Sequence, residues 1–280
     1  MKMRRIVLVL FGVVLLGAGL GLLKVGHAQE NPVVVATTEI LGDFVRKIVE
    51  DRVELVVLIP GGMCPAHYDI RPSDVAAVAR AALVLHHGFE PWMENLVKSS
   101  GSKALVVKIG DDWNVPPNAI QQVGLVGDAL GKVFPRDALA MQQNAAAFQK
   151  RIEELSARLL ARAQGLNVQE AKAISQAFQA QFVSWLGFTV VGTYPPPERV
   201  SAQLFVQLVQ LGREQKVALV VDNLQSGVGG GARLAFEIGA INVILTNFPG
   251  AVPHTRDYLE VIAHNGTQMF EALESYRRRP

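Results

Sequence analysis

Cysteine is almost absent: Cys64 is the single one in 280 residues. An internal disulfide is therefore excluded, and Cys64 is left as a buried small residue, a reactive thiol or a ligand. Charge is also scarce, with Asp, Glu, Lys and Arg at 19% of the chain. No basic stripe interleaved with aromatics occurs, which removes the usual basis for nucleic-acid binding. Histidine is missing between His87 and His254. Beyond residue 28 no second long hydrophobic run follows, so no internal membrane span is expected.

What is present begins at the amino terminus. Residues 1–5 are basic and residues 6–23 form an unbroken apolar run; small residues follow around Gly26-His27-Ala28. This is the order of a secretory signal peptide cleaved after Ala28, and the alternative is an uncleaved anchor. Cleavage removes Lys2, Arg4, Arg5 and Lys24, which lowers the basic count from 27 to 23 against 25 acidic residues. The apparent basicity of the chain is mostly the targeting signal. The expected location is periplasmic or extracellular, with membrane anchoring if the signal stays.

The rest alternates short apolar runs with helical stripes. Strands are expected at residues 33–37, 53–59, 83–86 and 104–109, with helices at 39–50, 73–81 and 89–99 between or after them. Thr38 and Ser73 stand at the cap positions of two of these helices. The pattern then changes to helices at 118–133 and 136–164, the second free of proline and glycine and about 43 Å long at 1.5 Å per residue. Gly165 is its expected cap. Alternation restarts with strands at 170–175, 189–192, 217–222 and 242–245 and helices at 176–186, 201–214, 232–238 and 256–276. The fold class is α/β: two lobes with mainly parallel sheets joined by one long rigid helix. The divisions are a signal at 1–28, an N-terminal lobe at 29–135, the linking helix at 136–165 and a C-terminal lobe at 166–280.

Chemistry gathers in the loop of residues 61–74, between a strand end and a helix, where open α/β sheets carry ligands. Cys64 and His67 lie there, separated by Pro65-Ala66. His86 and His87 end the third strand, and Asp111 precedes Trp113. Thiolate, imidazole and carboxylate together suit zinc or another borderline ion. A small organic or chelated ligand is the alternative, for which Tyr68, Trp113, Gln176, Asn223 and Asn247 supply an aromatic wall and neutral hydrogen bonds. Asp222-Asn223 ends the most apolar strand of the second lobe, so both are cleft candidates, as is His87. The run Gly227-Val228-Gly229-Gly230-Gly231 reads as flexible rather than as a phosphate loop, since it lacks the lysine and hydroxyl. An enzyme with Cys64 as nucleophile and His67 as base has no third, orienting residue, and no catalysis or catalytic cofactor is expected.

Several stretches occur together in one order: Ala36-Thr37-Thr38-Glu39-Ile40-Leu41-Gly42-Asp43, Leu58-Ile59-Pro60-Gly61-Gly62, Pro65-Ala66-His67-Tyr68-Asp69-Ile70-Arg71-Pro72-Ser73-Asp74, Glu90-Pro91-Trp92-Met93 and Trp185-Leu186-Gly187-Phe188. The colinear set resembles the ZnuA/TroA-like substrate-binding proteins of zinc and manganese ABC importers, over nearly all of the mature chain. The resemblance implies two lobes bridged by a rigid helix, monomeric behaviour, and delivery of Zn2+ or Mn2+ to a membrane permease driven by an ATPase. It also implies a four-ligand site whose positions fall at His67, Asp111, Ser175 and Asn247, so that only His67 keeps the family's residue type. Cys64 is the candidate substitute. The departures leave open the same scaffold serving a non-metal or chelated solute, or an adhesin or scaffold without transport. Intact mass of the exported chain should begin near Gln29; a mass beginning at Met1 would sink the cleaved-signal reading.

Overall fold

The computed structural model describes residues 31–110 and 112–279. The expected signal segment at residues 1–28 lies outside the described residues. Among those described, no helix is long and apolar enough to cross a membrane.

The first half builds β1 (Val33–Thr38), α1 (Glu39–Val49), β2 (Glu54–Ile59), α2 (Pro72–Arg80), β3 (Ala81–His86), α3 (Met93–Ser100) and β4 (Leu105–Lys108). Its strands pair in parallel in the order β2-β1-β3-β4. Helices α4 (Pro116–Val133) and α5 (Ala138–Gly165) follow. The second half contributes β5 (Lys172–Gln176), α6 (Ala180–Trp185), β6 (Thr189–Tyr194), α7 (Ala202–Gln215), β7 (Leu219–Asn223), α8 (Gly230–Ile238), β8 (Ile241–Leu245) and α9 (Tyr258–Arg277). This sheet is also parallel, in the order β6-β5-β7-β8. The two-lobed α/β architecture expected from the alternation is present. Every residue of β1 and of β7 is buried, as befits central parallel strands covered on both faces.

The two strand orders are the same, so each sheet has a switch point at its carboxyl edge: β1/β3 in the first, β5/β7 in the second. That is where doubly wound sheets form crevices. Helix α5 runs about 42 Å and buries Met141, Ala145, Phe148, Ile152, Leu155, Leu159 and Ala163 along one stripe. A single apolar cluster includes this stripe, Val34 and Leu83 of the first sheet, and Leu219 and Leu245 of the second. The lobes therefore share one core. Close approach to α5 requires small residues: a Cβ on Gly266 of α9 would meet Leu159 at 2.7 Å.

Local chemistry moves several expected boundaries. Ser73 does not cap α2; the box is closed by Asp74, whose Oδ2 accepts the Arg71 amide at 2.8 Å, and Pro72 takes the first helical position. Thr38 stands at the start of α1 but its hydroxyl faces His87 Nε2 at 2.7 Å, so it makes no cap bond. Gly165 closes the last turn of α5 and Leu166 is the cap. The helix expected at 89–99 begins only at Met93, because Glu90 organises residues 87–90 as a loop. The helix expected at 176–186 is shortened to α6 because β5 runs to Gln176, whose Oε1 then accepts the Phe178 amide at 2.7 Å.

The molecule is pinned where α1 meets α9. Asp43 Oδ2 accepts the Tyr258 amide at 2.9 Å, and Lys47 pairs with Asp257 at 2.8 Å. Asp257 also caps α9 through the Glu260 amide at 2.9 Å. Burial drives the Asp43 carboxyl up to about 6, against the lowering effects of the Tyr258 amide and Lys47. A carboxyl raised in the folded state holds its proton more tightly than in the unfolded chain. Its contribution is therefore fully present below the ordinary value of 3.8 and is lost as pH rises through about 6. Asp43→Asn keeps an acceptor for Tyr258 and removes this titration. Relative to the wild type it should gain up to about 3 kcal/mol between pH 4 and pH 7.5, read from urea unfolding; a wild-type-minus-variant difference that does not change with pH contradicts the assignment.

Candidate functional site: the cleft between the two sheets

Loops at the carboxyl ends of both sheets enclose a cavity of about 290 Å3. The first lobe lines it with Cys64, Pro65 and Ala66 after β2, Phe89 after β3, and Trp113 and Asn114 after β4. The second lobe adds Phe178 after β5, Asn223, Gln225 and Ser226 at and after β7, and Asn247 and Phe248 after β8. Among the described residues, no Asp, Glu, Lys, Arg or His lines it.

The aromatic wall is held from behind. His87 packs against Trp113 with ring centres 4.2 Å apart. Its Nδ1 meets the Gly110 carbonyl, which can only accept, so Nδ1 carries the proton and Nε2 faces Thr38. Glu90 sets the loop bearing Phe89: its carboxylate accepts the His87 amide at 2.9 Å, the Gly88 amide at 2.7 Å and the Thr37 hydroxyl at 2.6 Å. Burial pushes this carboxyl up, but the His86 ring, the His87 amide and the Thr37 hydroxyl together outweigh it and hold it well below the ordinary range. Trp113 is completed by Phe248, 5.5 Å away centre to centre.

Amides join the lobes across the cleft. Asn247 Oδ1 accepts from Asn114 Nδ2 at 2.8 Å and from Gln179 Nε2 at 2.6 Å. Its carbonyl accepts the Trp113 indole N–H at 3.0 Å, and its own N–H donates to Gln225 Oε1 at 3.0 Å. Gln225 Nε2 reaches the Gly61 carbonyl of the opposite lobe at 3.1 Å. Gly61 must be glycine, since a Cβ there would fall 2.0 Å from the Pro249 carbonyl oxygen.

Of the residues singled out in the sequence, Cys64, Trp113, Asn223 and Asn247 meet at this cavity. His67 ends the short 3-10 turn Pro65–His67, is exposed, and is not part of the lining. Tyr68 lies beneath the loop with its hydroxyl donating to Asp74 at 2.8 Å; burial and then that carboxylate push the phenol up to about 12. Ser175 is buried and donates to the Gln176 carbonyl at 3.0 Å. Gln176 is likewise buried and holds the Phe178 turn. Asp222 is occupied within its own lobe by the Tyr194 hydroxyl at 2.8 Å, the Gly231 amide at 3.1 Å and Asn242 Nδ2 at 3.1 Å. The glycine-rich run thus gives an amide to an internal carboxylate; a Cβ at Gly231 would strike it at 2.5 Å. Asp111 lies outside the described residues. Among the described residues, no three His, Cys, Asp or Glu side chains form a group able to hold a metal ion.

Asn114, Gln179, Gln225, Phe89, Phe178 and Phe248 are site residues that sequence reasoning missed. Their only signal is position, one to a few residues beyond strand ends. Asn247→Ala leaves two buried N–H groups without their acceptor and should cost about 2–4 kcal/mol in urea unfolding; a loss under about 0.5 kcal/mol contradicts the network's role.

The family model described as zinc-uptake complex component A, periplasmic, matches residues 34–272. The manganese-binding lipoprotein MntA of Halalkalibacterium halodurans is 26% identical over 166 residues, covering 52% of this chain and 55% of that protein. The manganese ABC transporter substrate-binding lipoprotein PsaA of Streptococcus pneumoniae is 33% identical over 73 residues, 24% of each chain. The matches thus span about half, or a quarter, of these curated relatives. In fold, the chain is similar to the periplasmic zinc-binding protein TroA of Treponema pallidum, with TM-score 0.75 and 21% identity over 87% of this chain and 99% of that one. It is also similar to FpvC of P. aeruginosa, a substrate-binding protein solved with Ni2+, with TM-score 0.74 and 21% identity over 88% and 98%. The match over residues 34–272 places this chain in the ZnuA family of periplasmic zinc-uptake components.

Proposed function

We propose that the chain is the extracytoplasmic solute-binding component of an ABC importer, which takes up its solute between the lobes and delivers it to a membrane permease worked by an ATPase. The observation that carries this reading is the cavity of about 290 Å3 lined by loops from the carboxyl ends of both sheets. A solute there touches both lobes, so its binding free energy acts directly on their closure. The shared core along α5 restricts that closure to small rotations, unlike a flexible two-strand hinge. The working parts follow the divisions 29–135, 136–165 and 166–280.

Family membership points to a transition-metal cargo, zinc or manganese, for which the candidate donors are Cys64, His67 and Asp111 from one lobe with Ser175 and Asn247 from the other. A second reading, a non-metal or chelated solute, is favoured by a specific observation. Asn247 Oδ1, the atom a cation needs, already accepts two N–H donors, and Ser175 and His67 stand outside the lining. Among the described lining residues the donors are a thiol and neutral amide oxygens, with no carboxylate or imidazole, a poor set for a hard or borderline divalent ion.

The importer reading predicts that the chain, added to proteoliposomes holding its genomically neighbouring permease and ATPase, raises ATP hydrolysis several-fold; no stimulation with any solute fraction defeats it. The cargo is decided by thermal unfolding of chelator-stripped protein. With zinc or manganese alone the expected change in Tm is below about 1 °C, whereas an occupied site at a hundredfold excess over Kd adds about 2.7 kcal/mol and several degrees. A rise of that size with either ion restores the metal cargo.

A further inference from the structure

We infer that the cleft selects a neutral, flat solute that presents a hydrogen-bond donor beside an acceptor, as a carboxamide or a lactam-type heterocycle does. This rests on the solute-binding reading above and names the class of solute.

Four features lead to it. The walls are flat and apolar: Phe89, Trp113 and Phe248 form one tilted series with neighbouring ring centres 6.2 and 5.5 Å apart. Phe178, from the other lobe, lies in the lining with 54% of its surface exposed. Among the described residues the lining carries no Asp, Glu, Lys, Arg or His, so an ion entering it would lose hydration without a counter-charge from them. Two lining side chains from opposite lobes hold complementary polar atoms that are buried and have no partner: Asn114 Oδ1, an acceptor, and Asn223 Nδ2, a donor.

Those two residues are at least nine-tenths buried, with relative exposures of 9% and 0%. Their other atoms are engaged. Asn114 Nδ2 donates to Asn247 Oδ1, while Asn223 Oδ1 accepts the amide and the hydroxyl of Ser226, each at 2.9 Å. The engaged atoms fix which end of each amide is left over, and the remainder is one donor and one acceptor. A buried polar atom without a partner carries an uncompensated desolvation penalty. A solute bearing an N–H beside a C=O relieves both penalties at once and bridges the lobes as it does so. A carboxylate offers no donor, and an ammonium offers no acceptor. A bare cation can meet the lone pair of Asn114 Oδ1 but is repelled by the Nδ2 hydrogens of Asn223.

The test uses chelator-stripped full-length mature protein and a matched panel: benzamide, nicotinamide and uracil against benzoate, benzylammonium and zinc chloride. Tryptophan fluorescence titration and Tm are read for each. The expected result is that at least one neutral amide or lactam binds, at least tenfold tighter than every charged probe. Asn223→Asp keeps the Oδ1 acceptor for Ser226 and removes the donor, so it should weaken that probe at least tenfold. Phe178→Ala alters an exposed side chain, leaves folding intact and should weaken it at least threefold, which keeps the test available if Asn223→Asp does not fold. Absence of binding by all three neutral probes, or charged probes binding as well as neutral ones, overturns the inference. Neither outcome touches the importer reading, which is judged by ATPase stimulation in proteoliposomes.

Discussion

The buried stripe of α5 is the constraint on which the rest of the molecule depends. Met141, Phe148, Ile152 and Leu159 lie in one apolar cluster with central strands of both sheets, so the lobes are not independent bodies on a tether. Moving one against the other disturbs close-packed contacts that resist continuous deformation. The pin at the α1–α9 contact, where Asp43 accepts the Tyr258 amide and Lys47 meets Asp257, adds a second fixed point. A shared core and that pin both oppose large displacements of one lobe against the other.

The loops around the cavity meet through neutral amides. Two of the four positions that the resemblance gives to metal ligands hold serine and asparagine, Ser175 and Asn247, and Asn247 is the hub of a cross-lobe amide network. Asn247 receives Asn114, Gln179 and the Trp113 indole. Neutral hydrogen bonds thus link the lobes across the cleft. Each bond is modest, but the set is buried and mutually dependent, so its loss is felt as a unit.

Much of the scaffold was legible in the sequence because it rests on periodicity. Runs such as Val33-Val34-Val35 and Leu219-Val220-Val221 read as buried parallel strands, and the alanine-, glutamine- and leucine-rich stretch before Gly165 reads as one helix. Errors came where a side chain captured a backbone amide: Glu90 delaying α3, Gln176 shortening α6, Asp74 rather than Ser73 closing the start of α2. The site was legible only in part. Trp113, Asn223, Asn247 and Cys64 could be picked from their places beyond strand ends. Asn114 and Gln225 could not, since their meaning lies in partners 133 and 164 residues away. His67 attracted attention through its motif, and motif position says nothing about whether a ring faces a cavity or solvent.

Cys64 has one more consequence. It is the chain's single cysteine, it is only half-buried, and it forms part of the cavity wall. A thiol-reactive dye therefore attaches at one place, beside the cleft, with no competing site anywhere in the sequence. Its colour or lifetime then follows the polarity of the cavity molecule by molecule, so the protein carries a built-in anchorage for an optical sensor of its own occupancy.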